Sequence, residues 1–81
     1  MTDLTGKTAI ITGAGSGIGA ATAREFAARG ANVALLARSG DEIAALAGEI
    51  GPQAVAIPCD VSRYWEVEQA VKAVADTFGS V

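Results

Sequence analysis

The stretch Thr12-Gly13-Ala14-Gly15-Ser16-Gly17-Ile18-Gly19 decides how the chain is read. Before it lies the short apolar run Thr8-Ala9-Ile10-Ile11, and after it an alanine-rich segment from Ile18 to Arg29. The run is continuous rather than alternating and carries β-branched residues, which predicts a parallel strand covered on both faces. In the following segment Ala23, Phe26, Ala27 and Gly30 recur at helical spacing, with Arg24, Glu25 and Arg29 off that face. A glycine-dense turn thus joins a strand to the start of a helix. The first amides of a helix have no internal partner, and the peptide dipoles place partial positive charge there. Without Cβ atoms in the way, a pyrophosphate can approach those amides closely.

The same alternation continues along the chain. Gly30 is placed to end the first helix in a left-handed conformation. Asn32-Val33-Ala34-Leu35-Leu36-Ala37 forms a second apolar run, followed at once by Arg38 and Ser39. A second helix starts near Asp41, with Asp41 and Glu42 suited to its dipole and Ile43, Leu46, Ala47 and Ile50 on one face. Gly51-Pro52 ends it. Ala54-Val55-Ala56-Ile57 makes a third strand, leading through Pro58-Cys59-Asp60-Val61 to a last helix. Ser62 is the expected N-cap of that helix, and Val67, Ala70, Val71, Val74 and Phe78 its buried face. The order is βαβαβα: an α/β, Rossmann-type arrangement with a three-stranded parallel sheet, half of a doubly wound fold.

Composition narrows the chemistry. Half of the 81 residues are apolar and 19% are charged, as in a globular protein. The net charge of −3 gives no long-range attraction to nucleic acid or to an anionic membrane. Cys59 is the single cysteine and there is no histidine, so internal disulfides, imidazole acid–base chemistry and histidine-based zinc sites are excluded. The segment Met1 to Lys7 lacks the apolar core of a signal peptide, and no run is long enough to span a bilayer. A soluble cytoplasmic location is the expectation.

The glycines do not fit the common GxGxxG pattern. They fit Thr-Gly-x-x-x-Gly-x-Gly at Thr12, Gly13, Gly17 and Gly19. With the Gly30-Ala31-x-Val33 entry to the second strand and Cys59-Asp60-Val61 after the third, the chain resembles the short-chain dehydrogenase/reductase family over essentially its whole length. The resemblance implies that residues 13–19, including Gly13, Gly15, Ser16, Gly17, Ile18 and Gly19, hold the pyrophosphate and adenosine ribose of a dinucleotide. Ser16 would meet the ribose or its phosphate, and the Ile18 amide would face the pyrophosphate; the Ile18 side chain reads as core beneath the helix. Thr12 would tie the turn to neighbouring backbone. Asp60 would accept from the adenine amine and Val61 would meet a ring nitrogen through its backbone; the alternative for Asp60 is that it starts the next helical turn.

The end of the second strand bears on cofactor choice. NAD-binding sites favour a carboxylate there, for the ribose hydroxyls. This chain has Ala37 and then Arg38, so a 2′-phosphate meets no repelling acid and a guanidinium is at hand. A charge-assisted hydrogen bond of about 1.5–3 kcal/mol corresponds to roughly ten- to a hundredfold preference for NADP, with NAD the alternative. Ser39 can add a hydroxyl, although Ser39-x-x-Glu42 also matches a capping box.

The family's catalytic set is a serine, a tyrosine and a lysine four residues after the tyrosine. The only tyrosine is Tyr64, followed at that spacing by Glu68, with Lys72 eight residues on. The family's Asn-Asn-Ala-Gly segment is absent too. No residue is therefore assigned a catalytic role. The first strand of a doubly wound sheet is central, and without a fourth strand it is a bare edge. The expectation is thus an N-terminal, cofactor-binding fragment of an oxidoreductase acting on an alcohol or ketone, the parent by resemblance a homo-oligomer. A dimer supplying the missing edge, a stand-alone dinucleotide-binding module and an inactive truncated product are the alternatives.

Overall fold

Each apolar run becomes a strand, and each stretch of helical period a helix. The computed structural model describes residues 3–14, 17–60 and 62–78. Its elements are β1 (Thr8–Thr12), α1 (Gly17–Ala28), β2 (Asn32–Ala37), α2 (Gly40–Ile50), β3 (Ala54–Pro58) and α3 (Tyr64–Phe78). The strands are parallel in the order β1-β2-β3. Register runs from Thr8 opposite Asn32 to Thr12 opposite Leu36, and from Val33 opposite Ala54 to Ala37 opposite Pro58.

Central position explains why β2 is the most apolar strand. Val33, Ala34, Leu35 and Leu36 are all buried, because successive side chains enter cores on opposite faces. Val33 and Leu35 join Ile11, Ala14, Ala23, Ile43 and Leu46 beneath α1 and α2. Ala34 and Leu36 join Cys59, Ala70 and Val74 beneath α3. Full burial of each leucine contributes about 1.5–3 kcal/mol. Among the described residues β1 has β2 as its one strand neighbour, and within it Ile11 alone is buried.

The helix ends show where local chemistry agrees with the sequence reading and where it departs from it. Gly30, at φ 97°, follows α1, and its amide donates to the Ala27 carbonyl at 3.0 Å. Gly51 closes α2 by donating to Ala47 at 2.8 Å. Ser39 has the extended dihedrals of an N-cap for α2 but makes no side-chain capping bond, so the Ser39–Glu42 capping box is not formed. Ser62 is not the N-cap of α3: the helix begins at Tyr64, and the Val67 amide donates to Arg63. Instead the Ser62 amide and hydroxyl both donate to Asp60 Oδ1, at 3.0 and 2.7 Å. That local turn competes with capping for the same serine. Val71 also departs from expectation and lies exposed at the margin of the α3 face.

Candidate functional site

All three strands deliver their C-terminal ends to one side of the sheet. Gly13 follows β1, Arg38 follows β2 and Cys59-Asp60 follows β3. The connections are tied to the sheet by backbone. The Ala14 amide reaches the Leu36 carbonyl at 3.4 Å, and the Cys59 amide donates to Ala37 at 2.8 Å. Thr12 is exposed and its side chain makes no hydrogen bond to the described residues, so among these it is Ala14 that ties the turn.

Two glycines are required by the geometry of the first turn. Gly13 sits at φ 65°, where a Cβ is strained. A Cβ on Gly19 would lie 2.3 Å from the Gly13 carbonyl oxygen, so the first turn of α1 rests directly on the backbone that precedes it. Gly17 differs: a Cβ there would meet nothing within 4 Å. Gly17 is exposed at the first residue of α1, beside amides that have no helical acceptor. First-turn amides and the room left at Gly17 are what a dinucleotide's phosphates would require there. Ile18 is 85% exposed, which corrects the expectation that its side chain is core. Gly15, Ser16 and Val61 lie outside the described residues.

The second part of the site is made of side chains. Arg38, Pro58, Cys59, Asp60 and Glu66 line a cleft of about 250 Å³. The structure thus brings Arg38 and Asp60 together, with Ser39 exposed next to Arg38 and preceding α2. Asp60 is held in a turn. Besides the two bonds from Ser62, its own amide donates to Glu66 Oε1 at 3.1 Å, and Arg63 Nε stands 3.8 Å from its Oδ2. The Ser62 hydrogen bonds, reinforced by the Arg38 and Arg63 guanidiniums, hold the Asp60 carboxyl below the ordinary carboxylate range. Burial, with the charges of Glu66 and Asp60, pushes the Cys59 thiol up, away from thiolate chemistry.

Glu66 is the lining residue that sequence reasoning missed. An acid in the first turn of a helix is explained by the dipole alone, which conceals a second role. Tyr64 is exposed at the start of α3, with Glu68 four residues on, so no tyrosine–lysine pair of the family spacing occurs. No described helix is long and apolar enough to cross a membrane. Among the described residues no cluster of metal-ligating side chains occurs.

Comparison with known proteins agrees with this geometry. The family model described as short chain dehydrogenase matches residues 7–81. An uncharacterized oxidoreductase of Staphylococcus haemolyticus is 46% identical over 82 residues, covering all of this chain and 36% of that protein. Oxidoreductase UcpA of Salmonella typhimurium is 46% identical over 84 residues, covering all of this chain and 32% of that protein. Among solved structures, a 3-ketoacyl-(acyl-carrier-protein) reductase from Brucella melitensis, complexed with NADH, superposes with a TM-score of 0.94 at 44% identity. That match covers 98% of this chain and 33% of the reductase. A hydroxysteroid dehydrogenase from Escherichia coli gives a TM-score of 0.92 at 38% identity, covering 98% of this chain and 34% of that one. The chain spans about a third of the length of the curated relatives it matches. With a parallel Rossmann-type sheet, a glycine turn of family spacing and a family match over nearly every residue, the chain belongs to the short-chain dehydrogenase/reductase family.

Proposed function

We propose that residues 1–81 form the NADP(H)-binding half-domain of a cytoplasmic short-chain oxidoreductase acting on an alcohol or ketone. The bound nicotinamide would supply hydride; this chain's residues would hold the other end of the cofactor. The turn at residues 13–19 takes the pyrophosphate, with Gly17 leaving room and Ser16 reaching the adenosine ribose. Asp60 and Val61 meet the adenine. Arg38 grips the 2′-phosphate bidentately, and the Ser39 hydroxyl, with no capping bond to make, stands beside it. Substrate and partner subunits, in a homo-oligomeric parent, belong to the whole protein. Binding without turnover is expected of the 81-residue chain, because none of its residues takes a catalytic role.

The observation that carries the NADP reading is Arg38 lining the cleft at the end of β2, where Ala37 stands in place of an acid. NAD is the second reading, favoured by the NADH held by the similar Brucella reductase. Titration of the chain and of Arg38→Ala with NADPH and NADH separates them. Loss of one charge-assisted contact is expected to weaken NADPH roughly ten- to a hundredfold and NADH less than about twofold. Equal losses for both would reduce Arg38 to a surface charge and favour NAD.

A further inference from the structure

We propose that Glu66 is a positioning residue for the adenine end of this site, fixing the Asp60 turn so that its carboxylate faces the base. The inference rests on the dinucleotide reading above. Glu66 lies on α3 and Asp60 on the loop after β3, and the 3.1 Å bond from the Asp60 amide to Glu66 Oε1 spans the connection between them. The other Glu66 oxygen stands 3.6 Å from Arg63 Nε, which also approaches Asp60 Oδ2. The Glu66 bond is made to the Asp60 backbone, so Glu66 acts on the cleft through the peptide that carries the Asp60 carboxylate.

The division of labour within Asp60 follows. Its Oδ1 is occupied by the Ser62 amide and hydroxyl. Among the described residues its Oδ2 has the 3.8 Å approach of Arg63, longer than a hydrogen bond, and keeps acceptor capacity. Ser62 orients the carboxylate, whereas Glu66 holds the backbone that carries it. Glu66 is also a wall of the cleft that Arg38 and Asp60 share, and its side chain is about one-quarter exposed, so water competes weakly for the bond. Rotation of the Asp60 peptide would swing Oδ2 away from a base in the cleft.

The test compares NAD⁺ with nicotinamide hypoxanthine dinucleotide, in which a carbonyl replaces the adenine amine. Neither carries a 2′-phosphate, so Arg38 drops out of the comparison. Binding is read from Trp65, the single tryptophan, next to Glu66 in the first turn of α3. The unaltered chain is expected to prefer the adenine ligand. Glu66→Ala and Glu66→Asp, the latter keeping the charge on a shorter arm, are expected to cut that preference about tenfold, the scale of one hydrogen bond to a charged group. Glu66→Gln keeps an acceptor for the Asp60 amide and is expected to keep the preference within about twofold. Should Glu66→Ala unfold, Glu66→Asp carries the comparison. A preference unchanged in the Ala or Asp variant, or both ligands weakened equally by them, would overturn the role of Glu66. An unaltered chain that binds no dinucleotide would instead overturn the dinucleotide reading itself.

Discussion

The turn after β1 and the turn after β3 lie on the same side of the sheet and each leads to a helix, but they are built by opposite means. Among the described residues the first is shaped by backbone: Gly13 supplies a positive φ, and Gly19 lets α1 rest on the Gly13 carbonyl. Side chains frame the second, with Asp60, Ser62, Arg63 and Glu66 joined by hydrogen bonds and ion pairs. A turn made of backbone tolerates no added atom where chain meets chain. A turn made of side chains can be retuned one residue at a time. On the function proposed above, phosphate, common to every dinucleotide, would fall to the first, and base and ribose identity to the second.

Substitutions that add a methyl group break the comparison at its stiffest point. Gly19→Ala drives a Cβ into a backbone oxygen that has no flexible side chain to give way. The expected cost is about 3 kcal/mol, or roughly 12–24 °C in Tm for a chain of this size, read by thermal unfolding. Gly13→Ala meets no neighbouring atom and suffers only from φ, so a smaller loss of about 1–2 kcal/mol is expected by the same measurement. Gly17→Ala separates folding from binding. Stability is expected to rise by up to about 1 kcal/mol, because a Cβ there meets open space, while dinucleotide affinity falls about tenfold as the methyl group stands between the α1 amides and the proposed phosphates. Unchanged affinity would place the phosphates elsewhere.

The side-chain turn answers to pH instead. Because the folded pKa of Asp60 lies below its ordinary value, its stabilisation is fully present above the unfolded carboxylate's pKa, about 3.9. It is lost as pH falls through the lower folded value. The stability gap between the chain and Asp60→Asn is therefore expected to be constant from pH 7 to about 5 and to close below about pH 4, by denaturant titration at each pH. The last prediction concerns Cys59, buried between the cleft and α3. Its thiol is expected to react with a disulfide reagent on the order of a hundredfold more slowly than in the unfolded chain, measuring local opening of the β3–α3 connection.

Much of this was legible in the sequence, and the division follows the same contrast. Strands and helices were readable because β2 is buried on both faces and α2 carries Ile43 and Leu46 at helical spacing. The glycine turn was readable because Gly13 and Gly19 answer steric demands that hardly any other residue meets. Side-chain partners were not. Ser62 precedes a helix and so resembles a cap, yet Asp60 two residues earlier competes for both its donors. Ile18 falls in an apolar helical segment, but it stands in the first turn of α1 with its side chain in solvent. Glu66 meets a backbone amide six residues away, and no period in the sequence marks such a pair.

The central place of β2 carries a consequence for folding fidelity. Its neighbouring leucines, Leu35 and Leu36, are assigned to separate interiors by the pleat alone. A slip of one residue against β1 or β3 would exchange the two sets, crowding Val33 and Leu35 into the interior beneath α3, where Ala34 and Leu36 fit, and leaving the α1 and α2 side short of bulk. Two unlike compartments on either side of one strand thus act as a ratchet, admitting a single alignment of the sheet and penalising both neighbouring ones.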